Sequence, residues 1–345
     1  MSAALSITFI FDLPQVISNY SFFDIGNKSD YIDDNESLRV FKKWYYDLGK
    51  AQLTEISDLC LQGDQPASVY FSGTFLKNLQ KVDEVMIKSI KTATTKGKLD
   101  LLGGTYANSL SSLYSNSSFV KEIESHQRLL KKTFGVVPKH FFNTENIYSQ
   151  AIAKTIQSFG YTSTFAGKID WYLGENTSDR VFSAELSDGI NVLVIDTDLG
   201  KSIFKNTDQK HHFLQLNSSD CMNLGNPKRI AEKALARVEL RTLKAQIETC
   251  KKLNPYKVLS PVTGSYQGRD MEHYNCDPLQ TQVIKRYYKL VSEARNRNLE
   301  IVSERLLALG QSDIFFSLQR SQEGAFERYN SFMTILSDIE LKLAI

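Results

Sequence analysis

The sequence predicts an α/β protein in which a seven-stranded parallel barrel, (β/α)7, precedes a C-terminal helical bundle. Two observations predict this fold. Short β-rich runs alternate with segments of helical periodicity through the first two thirds of the chain, as in parallel βαβ units. After about residue 225 helical spacing takes over, with one short β-like insert. We therefore place the barrel at residues 1–225 and the helical domain at 226–345, with the insert near 257–262.

Seven β-rich runs supply the predicted strands. In chain order they are "ITFIF", "SVYFSG", "LDLLGG", "HFF", "YTSTFAG", "INVLVIDTD" and "HFLQL". Strands that alternate with helices pair in parallel, and seven of them suit a barrel better than a short open sheet.

The segments between these runs have the spacing of amphipathic helices. In "FVKEIESHQRLLKKTFG" an apolar stripe contains Phe119, Ile123, Leu130 and Phe134, and Gly135 follows as a helix C-cap. The same spacing recurs in three later segments, which predict the C-terminal bundle: "PKRIAEKALARVELRTLKAQIETCKKL", "DPLQTQVIKRYYKLVSEARNRN" and "FERYNSFMTILSDIELKLAI".

The composition is that of an ordinary globular protein with balanced charge. Of the 345 residues 42% are hydrophobic and 23% are charged, and 41 basic residues against 39 acidic ones leave a formal charge of +2. This balance gives no electrostatic reason to expect nucleic acid or an anionic membrane as a partner. A neutral polar ligand fits it better.

The cysteines and the N-terminus predict a soluble cytoplasmic protein. Cys60, Cys221, Cys250 and Cys276 are widely spaced and form no CxxC pair, which argues against a zinc ribbon and against a disulfide scaffold. The opening "MSAALSITFIFDLP" lacks the basic region of a signal peptide. No run approaches the roughly 18 apolar residues that a membrane span requires.

The sequence contains no motif for a metal or a cofactor, and we expect neither. The five histidines, at positions 126, 140, 211, 212 and 273, include no His-x3-His pair of the kind that holds the metal in deacetylase barrels. A phosphate-binding loop, a nucleophile elbow and a dinucleotide fingerprint are also absent.

A carboxylate directly follows one predicted strand. In "PKHFFNTENIYSQAIAKTIQSFGY" the apolar "HFF" runs into Asn143, Thr144, Glu145 and Asn146, and a helical pattern follows. At the carboxyl end of a barrel strand, where active sites are built, Glu145 could act in catalysis. The same four residues could equally serve as turn and capping residues. Spacing alone leaves both interpretations open.

A wider resemblance favours the catalytic interpretation. "FFNTENIYSQAIAKTIQSFGY" resembles the motif of glycoside hydrolase family 57, the family of α-amylase and 4-α-glucanotransferase (β/α)7 barrels. "YSFFDIGNKSDYIDDNESLRVFKK", "GKLDLLGGTYANSLSSLY", "DPLQTQVIKRYYKL" and "GQSDIFFSL" are similar to other parts of the family, in the same order. The resemblance implies that Glu145 stands at the position of the catalytic nucleophile. A retaining glycosidase also needs a second carboxyl group about 5 Å away as acid/base.

The resemblance implies a missing acid/base. The family places that Asp directly after a late strand, whereas here "HFLQL" continues into Asn217, Ser218 and Ser219. An amide cannot donate the proton that the leaving group needs. Asp220 lies three residues further on and could replace it, although a role as a helix or turn cap is the competing interpretation.

Other positions at the predicted barrel mouth also depart from the family pattern. Asp12 stands where the family has the His of a His-Gln-Pro run, and the second conserved region has Tyr106 and Asn108 in place of Tyr-Tyr-His. The resemblance implies sugar-binding positions for these three residues. It also implies them for two further aromatic residues, Trp171 and Tyr274, because aromatic faces stack on pyranose rings.

Two functions follow as expectations. In the first, the protein is α-amylase-like and binds α-glucan with little or no hydrolysis, since the acid/base is replaced. In the second, it is an active retaining α-glucan hydrolase or 4-α-glucanotransferase with Asp220 or another carboxylate as acid/base. A carboxylate across the groove from Glu145 would favour the second function.

Overall fold

The computed structural model has the predicted α/β fold. It describes residues 4–173, 181–187, 189–195, 211–250, 252–264, 277–296 and 304–344. Most strands are parallel, and helices separate and follow them as the sequence predicts. No helix within these described ranges has the length and hydropathy to cross a membrane.

The strands are short and largely buried, as expected for parallel strands covered by helices on their outer side. Their bounds are β1 Ala4–Phe11, β2 Ala67–Phe71, β3 Leu99–Leu101, β4 His140–Phe141, β5 Ser163–Gly167, β6 Val181–Ser183, β7 Asn191–Ile195, β8 His211–Asn217, β9 Glu239–Leu240 and β10 Lys252–Pro255.

The helices include short 3-10 and π segments at Phe22–Asp24, Tyr45–Gly49 and Thr144–Asn146. The α-helices are α1 Asp34–Trp44, α2 Lys50–Leu61, α3 Gly73–Val82, α4 Glu84–Thr95, α5 Ser111–Tyr114, α6 Asn116–Phe134, α7 Gln150–Ser158, α8 Asp170–Leu173, α9 Ser218–Leu224, α10 Pro227–Leu235, α11 Leu243–Thr249, α12 Pro278–Asn296, α13 Glu304–Ala308, α14 Ser312–Phe316 and α15 Ala325–Ala344.

Seven parallel strands follow one another around the fold in the order β8, β1, β2, β3, β4, β5, β7. Hydrogen-bonded pairing joins β3, β2, β1 and β8 in one sheet and β4, β5, β7, β6 and β10 in another. Gly103, just after β3, exchanges backbone hydrogen bonds with His140 and Phe142 and so connects the two sheets. β7 also lies beside β8. Parallel neighbours place all seven carboxyl ends on one side of the fold.

Local sequence signals explain the predicted helix α6. The side chain of Ser115 accepts the backbone N–H of Ser118 at the N-terminus, which satisfies one of the free amides there. At the C-terminus Gly135 has φ 77°, the left-handed conformation that glycine adopts without a Cβ clash. The predicted C-cap is confirmed.

The C-terminal part of the chain contributes strands as well as helices. β9 pairs with β1 and β10 pairs with β6, so strands beyond residue 225 join the same sheets. The predicted β insert near 257–262 stays a prediction: β10 ends before it, at Pro255, and Val262 makes an isolated bridge with Tyr148. The division of the chain near residue 225 stays a prediction.

The C-terminal helices pack against one another through aromatic side chains. α12 packs on α15 and α6. Tyr287 on α12 lies edge-on to Phe315 of α14 and Phe332 of α15, with ring centroids 5.8 and 6.2 Å away. This packing fixes the start of α14, which reaches the carboxyl ends of the strands.

Candidate functional site

The carboxyl ends of the parallel strands bring four of the predicted residues to one side of the fold. Asp12 follows β1, Asn108 lies in the loop after β3, Glu145 lies in the turn after β4, and Asn217 is the last residue of β8. Loops at this end of a parallel α/β fold are where active sites are built. We call this surface the strand-end face.

Glu145 has a backbone conformation that its residue type rarely adopts. Its φ is 54°, and the next residue, Asn146, has φ 52°. The left-handed region costs a residue with a Cβ about 1–2 kcal/mol, and such strain concentrates at functional sites. The Glu145 side chain is half-buried. The turn therefore holds one partly exposed carboxylate on a strained backbone.

The loop that contains Thr263 and Gly264 holds this turn in place. The Glu145 carbonyl accepts a hydrogen bond of 2.8 Å from Thr263 Oγ1 and one of 3.2 Å from the Gly264 N–H. Gly264 in turn packs directly on Gly167 at the end of β5: a Cβ at Gly264 would lie 2.7 Å from the Gly167 Cα. The absence of both side chains lets the two backbones approach closely.

Buried amides surround the Glu145 turn. Asn146 Nδ2 donates a 2.7 Å hydrogen bond to Gln215 Oε1 on β8, and Asn143 Nδ2 donates one of 2.8 Å to the Ile147 carbonyl. Within the described part of the chain, Asn143 Oδ1, Asn146 Oδ1 and Gln215 Nε2 have no hydrogen-bond partner. Buried amide atoms without partners are costly, and they can be retained for a ligand.

Asp12 is a half-buried carboxylate held by three donors. Ser72 Oγ makes a short hydrogen bond to Oδ1, while Asn108 Nδ2 and Gln311 Nε2 donate to Oδ2 at 2.9 and 3.0 Å. Burial raises the pKa of Asp12, and these hydrogen bonds oppose the rise. The predicted pair Asp12 and Asn108 is therefore in direct contact.

Asp313, which the sequence analysis did not select, also reaches the strand-end face. It follows Gln311 and Ser312 at the start of α14 and is half-buried. Burial and then the charges of Asp12 and Glu145 raise the pKa of Asp313 to about 7. In "GQSDIFF" Asp313 is the one acidic residue of a run that changes from polar to apolar. This pattern is a weak signal for a functional residue, and it does not indicate which other residues Asp313 lies near.

Tyr106 is packed inside the fold. Its ring is 2% exposed and lies against Gly73, where an added Cβ would overlap it. Lys77 Nζ lies 5.7 Å from the ring centroid. The neighbouring Ala107 N–H donates a 2.8 Å hydrogen bond to the buried Glu122. A stacking role for Tyr106 stays a prediction that this burial does not favour.

Of the two other predicted aromatic contacts, the structure describes only Trp171. Trp171 is 70% exposed at the start of α8, four residues after β5 ends at the strand-end face, and its ring lies 6.0 Å from that of Tyr172. An exposed indole at this position is free to stack on a sugar ring. Tyr274 lies outside the described residues.

Asn217 and Asp220 form a helix cap. The Asn217 side chain accepts the Asp220 N–H at 2.9 Å, and Asp220 Oδ2 accepts the Asn217 N–H at 2.9 Å. This reciprocal pair is the capping box that starts α9. The capping interpretation of Asp220 describes the geometry, and its carboxylate is tied to the backbone of its own helix. Asn217 is exposed.

His126 has a structural role inside the fold. Buried His126 accepts the Gly104 N–H on Nδ1 at 3.0 Å, and its Nε2 lies 2.8 Å from the Phe71 carbonyl, which assigns the proton to Nε2. Burial lowers the pKa of His126 to about 4, so the ring is neutral. The described residues contain no group of three His, Cys, Asp or Glu side chains that could hold a metal.

Comparison with known proteins gives one consistent family. The model of "Glycosyl hydrolase family 57" matches residues 14–212. A protein of Methanocaldococcus jannaschii described as "Putative alpha-amylase" is 27% identical over 165 residues, which are 48% of this chain and 35% of that protein. The chain therefore spans about a third of the length of this curated relative.

Solved structures share the fold at low sequence identity. The 4-alpha-glucanotransferase of Thermococcus litoralis superposes with a TM-score of 0.71 at 12% identity, covering 99% of this chain and 60% of its own. A branching enzyme of Thermococcus kodakaraensis, in complex with glucose, has a TM-score of 0.74 at 11% identity, covering 100% and 90%. An alpha-amylase of Thermotoga maritima gives 0.66 at 10% identity, covering 100% and 94%.

Proposed function

Because the chain belongs to glycosyl hydrolase family 57, we propose that it binds an α-glucan on the strand-end face at Glu145 and hydrolyses it slowly or not at all. The chain's relatives include a putative α-amylase, a 4-α-glucanotransferase and a branching enzyme, which supports an α-glucan as ligand. The observation that carries the proposal is the capping box at the end of β8, where the family pattern requires an acid.

Glu145 has the features that a nucleophile requires. Its carboxylate is partly exposed, on a turn whose carbonyl is held by Thr263 and Gly264. A nucleophile must be ionised and fixed within reach of the anomeric carbon. The strained backbone is consistent with a turn selected for the position of its side chain instead of for stability.

The end of β8 does not provide an acid. The Asn217 amide carries no proton that it can transfer to a leaving group, and Asp220 uses its carboxylate to cap α9. General acid catalysis contributes about 10²- to 10⁴-fold to such reactions. Loss of this contribution with retention of the ligand contacts gives a protein that binds far better than it cleaves.

Polar groups for sugar hydroxyls remain. Half-buried Asp12 and buried Asn108 are hydrogen-bonded to each other, and Asn108 Oδ1 has no partner among the described residues. Trp171 presents an exposed ring four residues after the end of β5. A neutral polysaccharide needs such hydrogen-bonding groups and an aromatic face, and it needs no net charge on the protein.

The location of the protein remains a separate prediction. The three described cysteines, Cys60, Cys221 and Cys250, are buried thiols that form no disulfide. Free thiols fit the reducing compartment that the sequence predicts. We keep a cytoplasmic location as part of the proposal.

The experiment measures binding and product formation with maltoheptaose and glycogen at high protein concentration. We expect saturable binding to the wild type and to Glu145→Gln, with slow or undetectable release of shorter oligosaccharides that the substitution abolishes. Asp220→Asn is the matched control and should leave both readouts unchanged. Absence of any binding to the wild type would refute the proposal.

A further inference from the structure

Two amide side chains meet between the Glu145 turn and β8. Asn146 Nδ2 donates a 2.7 Å hydrogen bond to Gln215 Oε1, which joins the residue after Glu145 to a strand residue 69 positions later in the chain. Gly264, whose N–H holds the Glu145 carbonyl, also lies against Asn146, because an added Cβ at Gly264 would be 3.3 Å from the Asn146 Cβ. We call Asn146 and Gln215 the amide pair.

The single hydrogen bond of the amide pair leaves one half of each amide unused. Asn146 Oδ1 and Gln215 Nε2 are both buried and have no hydrogen-bond partner within the described ranges, and Asn146 as a whole is 6% exposed. Whichever amide donates, one carbonyl oxygen and one NH2 group are left over. Buried polar atoms without partners destabilise a folded chain, so the pair is retained at a cost in stability.

Gln215 lies between the apolar interior and the rim of the strand-end face. Alternate residues of a strand point to the same side of a sheet, so Phe213, Gln215 and Asn217 of β8 form one column of side chains. Phe213 is buried in a cluster with Phe142 and Phe165, whereas Asn217 is exposed. The amide pair is therefore the first polar level above the apolar core, one level below the exposed rim.

The two unused atoms of the amide pair suit a hydroxyl group. A hydroxyl group donates and accepts hydrogen bonds, so one such group can donate to Asn146 Oδ1 and accept from Gln215 Nε2 at the same time. A carboxylate or phosphate ligand only accepts and would leave Asn146 Oδ1 unpaired, and an ammonium group only donates. The pair therefore favours a neutral ligand that has hydroxyl groups.

We propose that the amide pair binds one ring hydroxyl of the glucosyl residue that lies at Glu145. The proposal rests on the proposed function and deepens it, since it names the protein groups that recognise the sugar ring. Because Asn146 belongs to the same turn as Glu145, a hydroxyl bound by the pair has a fixed position relative to the carboxylate. Asn217, two residues after Gln215, remains the cap of α9.

The test combines a variant of the protein with modified ligands in a thermodynamic cycle. Gln215→Met removes both polar atoms of the amide and keeps the length of the side chain. The ligands are maltoheptaose and three derivatives that lack the hydroxyl group at C2, C3 or C6 of every ring, and calorimetry measures their affinities. For one ring position, the loss of affinity on removal of the hydroxyl should be at least about 5-fold smaller in Gln215→Met than in the wild type, because the partner of that hydroxyl is already gone. The other two positions should show equal losses.

Two further variants separate recognition of the sugar from a structural role. Gln215→Glu keeps the oxygen that accepts the Asn146 N–H and removes only the NH2 group, so it should reduce the loss at the same ring position while the bond to the Glu145 turn is kept. Thr164→Val on β5 is the matched control, because Thr164 Oγ1 is also buried without a partner in the described part of the chain. Its strand neighbours Phe141 and Val192 belong to the apolar cluster that includes α7, and the control should leave all losses unchanged. Thermal unfolding verifies that each variant is folded.

The remaining outcomes contradict either the amide pair or the proposed function. A pair that only supports the turn would weaken all four ligands alike in the Gln215 variants, so equal losses at all three ring positions would overturn the proposal. A smaller loss in Thr164→Val would overturn it as well. Failure of the wild type to bind maltoheptaose at all would instead refute the proposed function on which it rests.

Discussion

The ends of β4 and β8 both lie on the strand-end face, but they differ in backbone conformation and in hydrogen bonding. After β4, Glu145 and Asn146 both have positive φ, and two hydrogen bonds from the 263–264 loop hold the turn. After β8, Asn217 has an ordinary extended conformation and starts a helix through a capping box with Asp220. The first end holds a side chain at a cost in stability, whereas the second end contributes to stability.

This difference separates a retained functional position from a structural one. Strain that nothing in the local sequence requires persists only where the surroundings enforce it. A capping box needs only its own four residues, and it satisfies local hydrogen bonds. We therefore expect substitutions at the β4 end to affect function, and those at the β8 end to affect only stability.

The largest expected contrast is in turnover. Glu145→Gln removes the charge that attacks the anomeric carbon and should lower product formation from maltoheptaose at least 100-fold. Asn217→Ala should change it less than about 3-fold, because an amide transfers no proton. Chromatography of the released oligosaccharides measures both, and a comparable loss in Asn217→Ala would contradict the comparison.

The second contrast is in the free energy of unfolding, because different residues support the ends of β4 and β8. A methyl group at Gly167 would overlap the backbone of Gly264, next to the Glu145 turn, so the backbone would have to shift to admit it. We expect Gly167→Ala to lower the free energy of unfolding by about 2–4 kcal/mol and to weaken glucan binding. Ser219→Ala, in the exposed first turn of α9, should cost less than about 0.5 kcal/mol in the same urea titration.

The buried carboxyl group of Glu122, next to Tyr106 and Ala107, is expected to make the free energy of unfolding depend on pH. Burial raises the pKa of Glu122 to about 7, so the folded state holds a proton that the unfolded chain loses above pH 4.5. Stability from this group therefore falls as the pH rises from about 4.5 to 7. Glu122→Gln should reduce the loss of unfolding free energy between pH 5 and pH 8 by on the order of 1 kcal/mol. An unchanged difference between the two pH values would show that Glu122 does not titrate in this way.

The smallest expected contrast is in the effect on stability of glycine substitutions at Glu145 and at Asn217. Glu145→Gly should stabilise the protein by about 1 kcal/mol, because glycine adopts φ 54° without a Cβ clash. Asn217→Gly should destabilise it by a few tenths of a kcal/mol, because the capping side chain is lost. Chemical unfolding of the two variants under one condition decides the signs, and a destabilising Glu145→Gly would remove the argument from strain.

The fold was predictable because its signals are local or periodic. Strands read from apolar runs and the helix ended by Gly135 recur in the structure, and the comparisons give the same family. The strands β6 and β9 were missed because two- and three-residue strands have no periodicity of their own. They form only through their pairing with β7 and β1.

Site residues could be predicted only where the residues that define their role lie close together in the sequence. Glu145 and the cap at Asn217 belong to short stretches that can be interpreted alone. The contacts of Gln311 with Asp12 and of Ser312 with Asn108 join residues about 300 and 200 positions apart. Such contacts depend on tertiary packing. The burial of Tyr106 is likewise set by the small Gly73 on α3, far from it in sequence.

The most direct test of the account traps the glucosyl ester. An α-maltosyl fluoride with an additional fluorine that slows the second step is incubated with the wild type, and the protein is digested and analysed by mass spectrometry. We predict one sugar adduct, on the peptide that contains Glu145, and none in Glu145→Gln. No adduct, or an adduct on a peptide that contains Asp220, would contradict the assignment of the β4 end as the functional one.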